Sequence, residues 1–388
     1  MENPDASTSL VTQPFTLARV EAFVLRWPVV RPVQTSFGTM HDRPAVLVRA
    51  EDADGAVGWG EIWCNFPGCG AEHRARLLET VVAPLVVGQA FGSAQAAFER
   101  MSARTAVLAI QSGEPGPLAQ VVAGVDLAVW DLLSRRAGVP LWRFLGGVSG
   151  VVDVYASGIN PDRPQDTVLA KQAEGYRAFK LKIGFGDDRD IANVTAVHSS
   201  LPAGTPFMLD ANQAWDLEGA LRMTDRLRDF APTWLEEPLR ADRPVAEWTR
   251  LAESTHIPLA GGENLIGPEA FNTMIASWAL AVVQPDLAKW GGVSGCLPVI
   301  DRIHDAALCY CPHFLGAGIG QLASAHVLAA RGRAGGMLEI DSNENPLRTV
   351  LSPALNTIVD GKASLGDAAG LGVEPDLAQL RDLCRSGR

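Results

Sequence analysis

The sequence predicts an α/β protein, a modified TIM-type (β/α)8 barrel behind an N-terminal α+β capping domain. Three observations lead to this prediction. Two alternating apolar runs flank a DADG turn signal near the start of the chain. From Val151 onward, eight short β runs alternate with amphipathic helical stretches, which is the pattern of a barrel. Each of these β runs also ends in a polar residue, which a buried parallel strand ordinarily avoids.

The composition fits a globular enzyme and argues against two classes of partner. The 388 residues include 33 Lys and Arg against 44 Asp and Glu, a net charge of −11, so we expect no nucleic-acid binding. The apolar runs are shorter than the roughly 18 residues that cross a bilayer. The first residues, MENPDASTSL, lack a secretory signal. We therefore expect a cytoplasmic protein with no membrane partner.

The order of the elements predicts four regions. Residues 1–16 are polar and predict a disordered tail. Residues 17–147 predict the capping domain, a three-stranded antiparallel sheet followed by helices. Residues 148–355 predict the barrel. Residues 356–388 carry too few β signals to add a strand to the barrel, and we expect them to return to the capping domain.

The polar residues that end the β runs recur at nearly constant intervals. Successive members are 23 to 28 residues apart, which is about one βα unit. Because barrel active sites lie at the carboxyl ends of the strands, we expect these side chains to meet at one mouth. They are Tyr155, Lys182, Asp210, Glu236, Glu263, Asp286, His313 and Glu339.

Three of these acids, Asp210, Glu236 and Glu263, come from consecutive β runs. Carboxylates that converge raise one another's pKa, and a divalent cation relieves the repulsion. All-oxygen ligation favours Mg²⁺, with Mn²⁺ as a substitute. The alternative is that each acid lies on the barrel rim and pairs with a Lys or Arg.

Lys180 and Lys182 in AFKLKIG face the same side of their strand, because residues two apart do so. Two lysines facing into a barrel would depress each other's pKa, which makes one of them a feasible base near neutral pH. The alternative is that both lysines pair with the acids of the neighbouring strands.

Asp286 and His313 end the sixth and seventh β runs, so adjacent strands place them within hydrogen-bond reach. An Asp behind a His fixes the tautomer of the ring and stabilises the imidazolium, which makes a competent acid or base. Glu339 ends the eighth run, and we expect it to hydrogen-bond a substrate oxygen.

The motifs KLKIG, LDANQ, LEEP, GGEN, QPDLAKWGG, PHF and LE together resemble the enolase superfamily. Within it, the likeness is to the mandelate racemase-like branch of the mandelate racemase/muconate lactonizing enzyme family, and it covers nearly the whole chain. This resemblance implies an enzyme that requires Mg²⁺. The implied metal ligands are Asp210, Glu236 and Glu263.

For catalysis, the resemblance implies that Lys182 is the base on one face of the substrate carbon. His313, oriented by Asp286, is implied as the acid or base on the opposite face, and which of the two abstracts the proton stays open. Lys180 is implied as the modulator of the Lys182 pKa and as a contact of the substrate carboxylate. Glu339 is implied as a hydrogen-bond donor or partner of that carboxylate, protonated in the enediolate complex. The resemblance also implies that Asn212 contacts the substrate and that Glu237 and Lys289 have supporting roles.

The implied reaction begins with removal of the proton α to a carboxylate, helped by Mg²⁺ as Lewis acid. Loss of a β-hydroxyl then gives dehydration, whereas return of a proton from the other face gives racemisation or epimerisation. We favour dehydration of a sugar acid, an aldonate or aldarate, to a 2-keto-3-deoxy acid. The alternatives are a racemase or epimerase of a 2-hydroxy acid or amino acid derivative, and a catalytically silent metabolite-binding barrel. Relatives commonly assemble, so we expect a homo-oligomer.

Two Gly- and Pro-punctuated loops of the capping domain are expected to select the small carboxylate substrate. Their aromatic, basic and amide residues, together with the tyrosine that ends the first β run, are candidates for substrate contact: Phe37, His41, Arg43, Trp63, Asn65, Phe66 and Tyr155. Interdomain packing is the alternative role for Trp63 and Phe66.

Overall fold

The computed structural model describes residues 14–35 and 38–386, so the candidate Phe37 and most of the predicted tail lie outside the described residues. The prediction of a tail through residue 16 is wrong at its end, because Phe15 and Thr16 already belong to the first strand. Phe15 is buried and its ring lies 5.6 Å from that of Phe91. The burial of this aromatic ring explains why the strand begins early.

The capping sheet is antiparallel, in the order β3–β2–β1–β4. Its strands are β1 Phe15–Thr35, β2 Gly38–Asp52, β3 Val57–Ile62 and β4 Ala90–Phe91. The first three match the predicted sheet, and the two-residue β4 is an additional strand. Asp52 closes the predicted DADG turn, since its Oδ1 accepts the N–H groups of Asp54 and Ala56.

The capping domain also has five α-helices among the described residues. They are α1 Gly70–Leu77, α2 Ala83–Val86, α3 Ala94–Ser112, α4 Pro115–Arg136 and α5 Leu141–Phe144. Helix α4 packs closely on β3, where a Cβ on Gly60 would lie 2.0 Å from the carbonyl oxygen of Gly124. By length and apolar character α4 could cross a bilayer, but 83% of its most apolar stretch is buried inside the fold.

Eight parallel strands form the barrel, as predicted. They pair in the order β11–β10–β9–β8–β7–β6–β5–β12. Their bounds are β5 Val151–Ile159, β6 Phe179–Lys182, β7 Phe207–Asp210, β8 Leu235–Glu236, β9 Leu259–Gly261, β10 Val282–Val283, β11 Cys309–Tyr310 and β12 Leu338–Asp341. Across the seam between β11 and β12, the Met337 N–H donates to Cys311 Sγ at 3.4 Å.

A helix follows each barrel strand. These are α6 Pro164–Ala173, α7 Asp187–Ser200, α8 Leu217–Leu227, α9 Val245–Ser254, α10 Pro268–Ser277, α11 Gly292–Asp305, α12 Gly318–Arg331 and α13 Pro346–Leu351. The parallel register places Lys182 beside Asp210 and Asp210 beside Glu236. The polar residues at the strand ends therefore share one level around the mouth.

The C-terminal segment does add a strand to the barrel sheet, contrary to the prediction. β13 Lys362–Ser364 pairs antiparallel with the start of β5. Its three residues are too short a run for periodicity to reveal. The segment also returns to the capping domain, because the Glu374 carboxylate accepts bonds from the Trp59 indole at 3.0 Å and from Arg135 at 2.8 Å. The last helix is α14 Leu377–Ser386.

Candidate active site

The three acids predicted as metal ligands are each bonded to a lysine. Lys182 Nζ lies 3.0 Å from Asp210 Oδ2. Lys180 Nζ lies 2.7 and 2.6 Å from the two oxygens of Glu236. The ammonium of the next lysine, Lys289, lies 2.9 Å from Glu263 Oε1. The pairing of acids with basic side chains, the alternative considered from the sequence, is therefore present.

In this arrangement, no three Asp, Glu, His or Cys side chains of the described residues are placed to coordinate one ion. The expectation that the three carboxylates converge on a single point is therefore not met. The physical reason is that each carboxylate already has an ammonium group at hydrogen-bond distance in a buried site. Coordination of a cation requires at least one of these contacts to be exchanged.

The chemistry of the donor set nevertheless fits a hard divalent cation. Burial, together with Asp210 and Glu339, raises the pKa of Glu236 to about 7 even though Lys180 opposes the shift. Beside it, Glu237 Oε2 and Gln284 Oε1 are buried oxygens without hydrogen-bond partners among the described residues. Crowded carboxylates and unsatisfied oxygens are what an oxygen-preferring cation such as Mg²⁺ would relieve.

The two acids of LEEP face different groups. Glu236 bonds Lys180 inside the barrel and also accepts from Gln284 Nε2 at 2.6 Å, as expected of the inward-facing member. Glu237 accepts from Asn264 Nδ2 at 2.8 Å. Burial and the charge of Glu263 hold the pKa of Glu237 well above its ordinary value. Both acids therefore lie at the mouth.

Lys180 and Lys182 do not have the depressed pKa values expected from mutual repulsion. Burial opposes the charge on Lys180, but Glu236 and Glu339 outweigh it and raise its pKa well above the ordinary value. Burial likewise opposes the charge on Lys182, while Asp210 raises its pKa by more than Lys180 lowers it. The neighbouring carboxylates thus decide the charge of both lysines.

The predicted contact between Asp286 and His313 is present. Asp286 Oδ2 lies 2.7 Å from His313 Nδ1, and both side chains are buried. Nε2 of the ring lies 2.8 Å from Glu263 Oε2. Burial disfavours the imidazolium, but Glu263, Glu339 and the bond to Asp286 raise the pKa of His313 well above its ordinary value. Asp286 Oδ1 also accepts the backbone N–H groups of Ala288 and Lys289.

Glu339 is held as a carboxylate. Its Oε1 lies 2.8 Å from Lys180 Nζ and accepts the hydroxyl of Ser157. Burial opposes ionisation, yet Lys180 and His313 keep the pKa of Glu339 below its ordinary value. The protonated donor that the resemblance implies is therefore not the form this arrangement favours.

A cavity of about 220 Å³ lies between the capping domain and the barrel mouth. Its capping-domain wall is formed by Trp63 and Phe66. The Lys289 ammonium lies 4.8 Å from the centre of the Trp63 ring, within cation–π range. Lys182 and His313 line the same cavity from strands on either side of the metal-ligand candidates. Both acid–base candidates therefore reach one small space.

Backbone strain also marks this mouth. Asn212, Gln213 and Glu237 adopt positive φ angles of 44°, 64° and 41°. Residues other than glycine seldom adopt this left-handed backbone conformation, and such strain concentrates at functional sites. Asn212 Oδ1 accepts from Lys182 Nζ at 2.6 Å, so the residue predicted to contact substrate lies next to the candidate base.

The remaining sequence candidates lie elsewhere. Tyr155 is fully buried in an apolar layer below the mouth, edge-on to Trp234 at 5.6 Å, so its position does not fit a contact with substrate. The strand alternation instead brings Ser157 to the level of the acids. Arg43 is buried in an ion pair with Asp341 at 2.6 Å, and His41 is exposed on β2. Asn65 donates to the carbonyl oxygen of Leu315 at 2.6 Å.

Sequence reasoning missed several residues of the site. Ser157, Gln284 and Asn264 each touch one of the acids. Asn264 directly follows Glu263, and Gln284 directly follows β10, two positions before Asp286. Applying the two-residue alternation to every strand end would have indicated Ser157.

The fold and this site define a barrel enzyme with acid–base groups gathered at the carboxyl ends of its strands. Residues 19–146 match the model of the mandelate racemase/muconate lactonizing enzyme N-terminal domain, and residues 165–379 match the model described as enolase C-terminal domain-like. The chain belongs to the mandelate racemase/muconate lactonizing enzyme family of the enolase superfamily.

Solved structures share this architecture. A mandelate racemase/muconate lactonizing enzyme from Bordetella bronchiseptica RB50 is 60% identical with a TM-score of 0.92, covering 96% of this chain and 100% of that chain. A racemase from Streptomyces coelicolor A3(2), solved with bound magnesium, is 28% identical with a TM-score of 0.84 and covers 95% of this chain and 99% of that chain.

Named relatives include cycloisomerases and sugar acid dehydratases. A 3,6-anhydro-alpha-L-galactonate cycloisomerase from Streptomyces coelicolor is 32% identical over 282 residues, 71% of this chain and 76% of that protein. A D-galactarolactone cycloisomerase from Agrobacterium fabrum is 28% identical, over 92% of this chain and 96% of that protein. A D-galactonate dehydratase from Pectobacterium atrosepticum is 30% identical, over 69% of this chain and 71% of that protein.

Proposed function

We propose that this enzyme removes the proton α to the carboxylate of a sugar acid and then expels the β-hydroxyl as water, giving an enol that tautomerises to a 2-keto-3-deoxy acid. The observation that carries the proposal is that Lys182 and His313 line one cavity, with His313 hydrogen-bonded to Asp286. Two acid–base groups are what a dehydration needs, one to take the α-proton and one to protonate the leaving hydroxyl.

Asp210, Glu236 and Glu263 would hold Mg²⁺, or Mn²⁺ in its place. The bound cation would supply positive charge beside the substrate carboxylate, where negative charge develops as the proton leaves. Lys180 lies between Glu236 and Glu339 and would donate to a carboxylate oxygen of the substrate. Such a preorganised donor contributes about 3 to 4 kcal/mol to stabilisation of the transition state.

We assign proton removal to Lys182 and proton delivery to His313. Among the described residues, Lys182 has one carboxylate at ion-pair distance, Asp210, so loss of that contact lowers its pKa. If Glu263 also turns to the cation, the His313 ring keeps Asp286 at 2.7 Å and Glu339 at 3.8 Å, so its imidazolium is the better stabilised cation. His313 is therefore the group that holds a proton until the β-hydroxyl departs.

The substrate class is supported by the named dehydratases among the relatives and by a second cavity at the same end of the barrel. This cavity, of about 760 Å³, is bordered by Asn160, Ser342 and Asn343 at the ends of β5 and β12. The Ser342 hydroxyl and Asn160 Oδ1 are buried without partners among the described residues. Amide and hydroxyl groups of this kind suit a polyhydroxylated chain.

Aldonates and aldarates incubated with the Mg²⁺-loaded enzyme test this proposal. Dehydration lowers the substrate mass by one water and forms a 2-keto acid, which mass spectrometry and a carbonyl reagent detect. In D₂O, His313→Asn should still exchange the α-proton while turnover is lost, and Lys182→Ala should lose both. Exchange in the Lys182→Ala, His313→Asn double variant would show that neither residue is the base, which would refute the assignment of proton removal to Lys182 and direct attention to Lys289.

A second candidate is cycloisomerisation of a lactone or anhydro sugar acid. The observation in its favour is Lys289, whose ammonium enters the cavity and shares Glu263 with His313. A cycloisomerase or a racemase leaves the substrate mass unchanged, so the mass of the product separates these reactions from dehydration. Stereochemical analysis of the isomeric product then separates a racemase or epimerase from a cycloisomerase.

A cytoplasmic location and a homo-oligomeric assembly complete the proposal. Cell fractionation and the native mass in solution test them. A protein that exchanges no α-proton with any carboxylate in the library would be a silent barrel, and the proposal would fail.

A further inference from the structure

Two buried acids of the capping domain bond the first turns of barrel helices. These helices, α11 and α12, follow the loops that carry Asp286 and His313. The acids are Glu61 on β3 and Asp126 on α4, with 2% and 1% of their surface exposed. Neither belongs to the acid–base machinery described above.

Glu61 caps helix α12 from another domain. Its Oε1 accepts the Ala317 N–H at 2.6 Å, and its Oε2 accepts the Gly320 N–H at 2.9 Å. Ala317 is the N-cap residue and has no side chain that can accept a hydrogen bond. The two N–H groups that Glu61 satisfies are those that a capping box satisfies within a single helix. Glu61 therefore supplies the missing cap of α12.

Asp126 bonds the first turn of helix α11 through one backbone N–H and one hydroxyl. Its Oδ2 accepts the Ser294 N–H at 2.9 Å, and its Oδ1 accepts the Ser294 hydroxyl at 2.6 Å. The N-cap residue of this helix, Gly291, has no side chain. Gly292 leaves the space for the acid, because a Cβ there would lie 2.3 Å from Asp126 Oδ2. At both helices, a buried capping-domain carboxylate thus accepts the backbone N–H three residues after the N-cap.

We propose that Glu61 and Asp126 are positioning residues that keep His313 and Asp286 at hydrogen-bond distance from each other. The proposal rests on the proposed function for its catalytic consequence. The 2.7 Å bond of the dyad spans two separate loops, so its length depends on where each loop is anchored. Glu61 anchors the loop that begins at His313, and Asp126 anchors the helix that follows Asp286. The capping domain thereby organises the acid–base pair as well as covering the cavity.

The test compares Glu61→Gln and Asp126→Asn with a matched control, Asp52→Asn. Asp52 is also a buried capping-domain carboxylate that accepts two backbone N–H groups, but it closes the capping-domain hairpin and its other oxygen pairs with Arg136 at 3.1 Å. Each substitution keeps the side-chain shape and removes one negative charge. In Glu61→Gln the amide NH₂ must face a backbone N–H, because both oxygens of Glu61 accept N–H groups. In Asp126→Asn and Asp52→Asn it can face the Ser294 hydroxyl or the Arg136 guanidinium instead. Turnover, KM and α-proton exchange in D₂O are measured for all three, with His313→Asn as the reference.

Glu61→Gln and Asp126→Asn should lower kcat about 10- to 100-fold with little change in KM, because a displacement of about 1 Å in a reacting group costs up to about 100-fold. As in His313→Asn, turnover should fall while α-proton exchange persists. Asp52→Asn should leave both turnover and exchange unchanged. Equal losses of turnover and exchange in Glu61→Gln, or a loss of the same size in Asp52→Asn, would overturn the proposal.

Hydrogen–deuterium exchange of the backbone provides a readout that needs no substrate. Amides of residues 313–320 should exchange faster in Glu61→Gln than in the parent or in Asp52→Asn. Unchanged protection of this segment would refute the positioning role whatever the reaction is. Faster exchange in a protein that dehydrates no sugar acid would instead leave the anchoring intact and refute the proposed function.

Discussion

Replacing Asp286 by Asn tests the dyad directly, because the substitution removes the charge and keeps the shape. Asn Oδ1 can still accept the N–H groups of Ala288 and Lys289, which Asp286 accepts at 2.9 and 3.1 Å. The amide NH₂ then faces His313 Nδ1, which lies 2.7 Å from the carboxylate in the parent. The ring must accept at Nδ1 and carry its proton on Nε2, and the imidazolium loses its partner.

The expected loss follows from the strength of that bond. A hydrogen bond to a charged group contributes about 1.5 to 3 kcal/mol, which corresponds to about 10- to 150-fold in turnover. The comparable substitution in a catalytic Ser-His-Asp triad costs about 10⁴, which sets the upper bound. Asp286 also raises the pKa of His313, so its loss should lower that pKa.

The assay is the pH–rate profile of kcat. The His313 limb should move to lower pH in Asp286→Asn, while the melting temperature changes little. Asp190→Asn is the control, since Asp190 is buried and accepts two backbone N–H groups of the loop after β6 without touching a histidine. Near-normal activity of Asp286→Asn, or an equal movement of the limb in the control, would refute the reasoning.

Three further predictions follow from the structure. Chelation of divalent cations should abolish turnover, and Mg²⁺ should restore it; activity that survives exhaustive chelation would contradict the assignment of the three acids. Asp341→Ala should lower the free energy of unfolding by about 3 to 5 kcal/mol, because it leaves the buried Arg43 unpaired, whereas Arg43→Met should cost less, because Asp341 keeps its contact with Arg348 at 3.7 Å. In urea titrations the double variant should lose less than the sum of the two, and simple additivity would show that the ion pair contributes nothing. Tyr155→Phe should keep kcat within about twofold and should not lower stability, since the buried hydroxyl has no hydrogen-bond partner among the described residues. A large loss of kcat would show that the Tyr155 hydroxyl contributes to catalysis.

Much of the site could be predicted from the sequence because barrel units are regular. The interval from Lys182 to Asp210 and from Asp210 to Glu236 equals one βα unit, and the parallel register places these residues side by side. The same regularity brought His313 to Asp286. It failed for Tyr155, which belongs to the same series but lies one layer below, where Ser157 takes its place.

The sequence by itself determined the barrel, the capping domain and which polar residues share the mouth, because all three depend on local periodicity and on strand length. Only the tertiary structure decided which oxygen meets which nitrogen. The pairing of Lys182 with Asp210 raises the lysine pKa that repulsion from Lys180 alone would lower. The bonds from Arg43 to Asp341 and from Ala317 to Glu61 join residues 298 and 256 positions apart. Contacts of that kind depend on how two domains pack together, and the periodicity of neither domain contains that information.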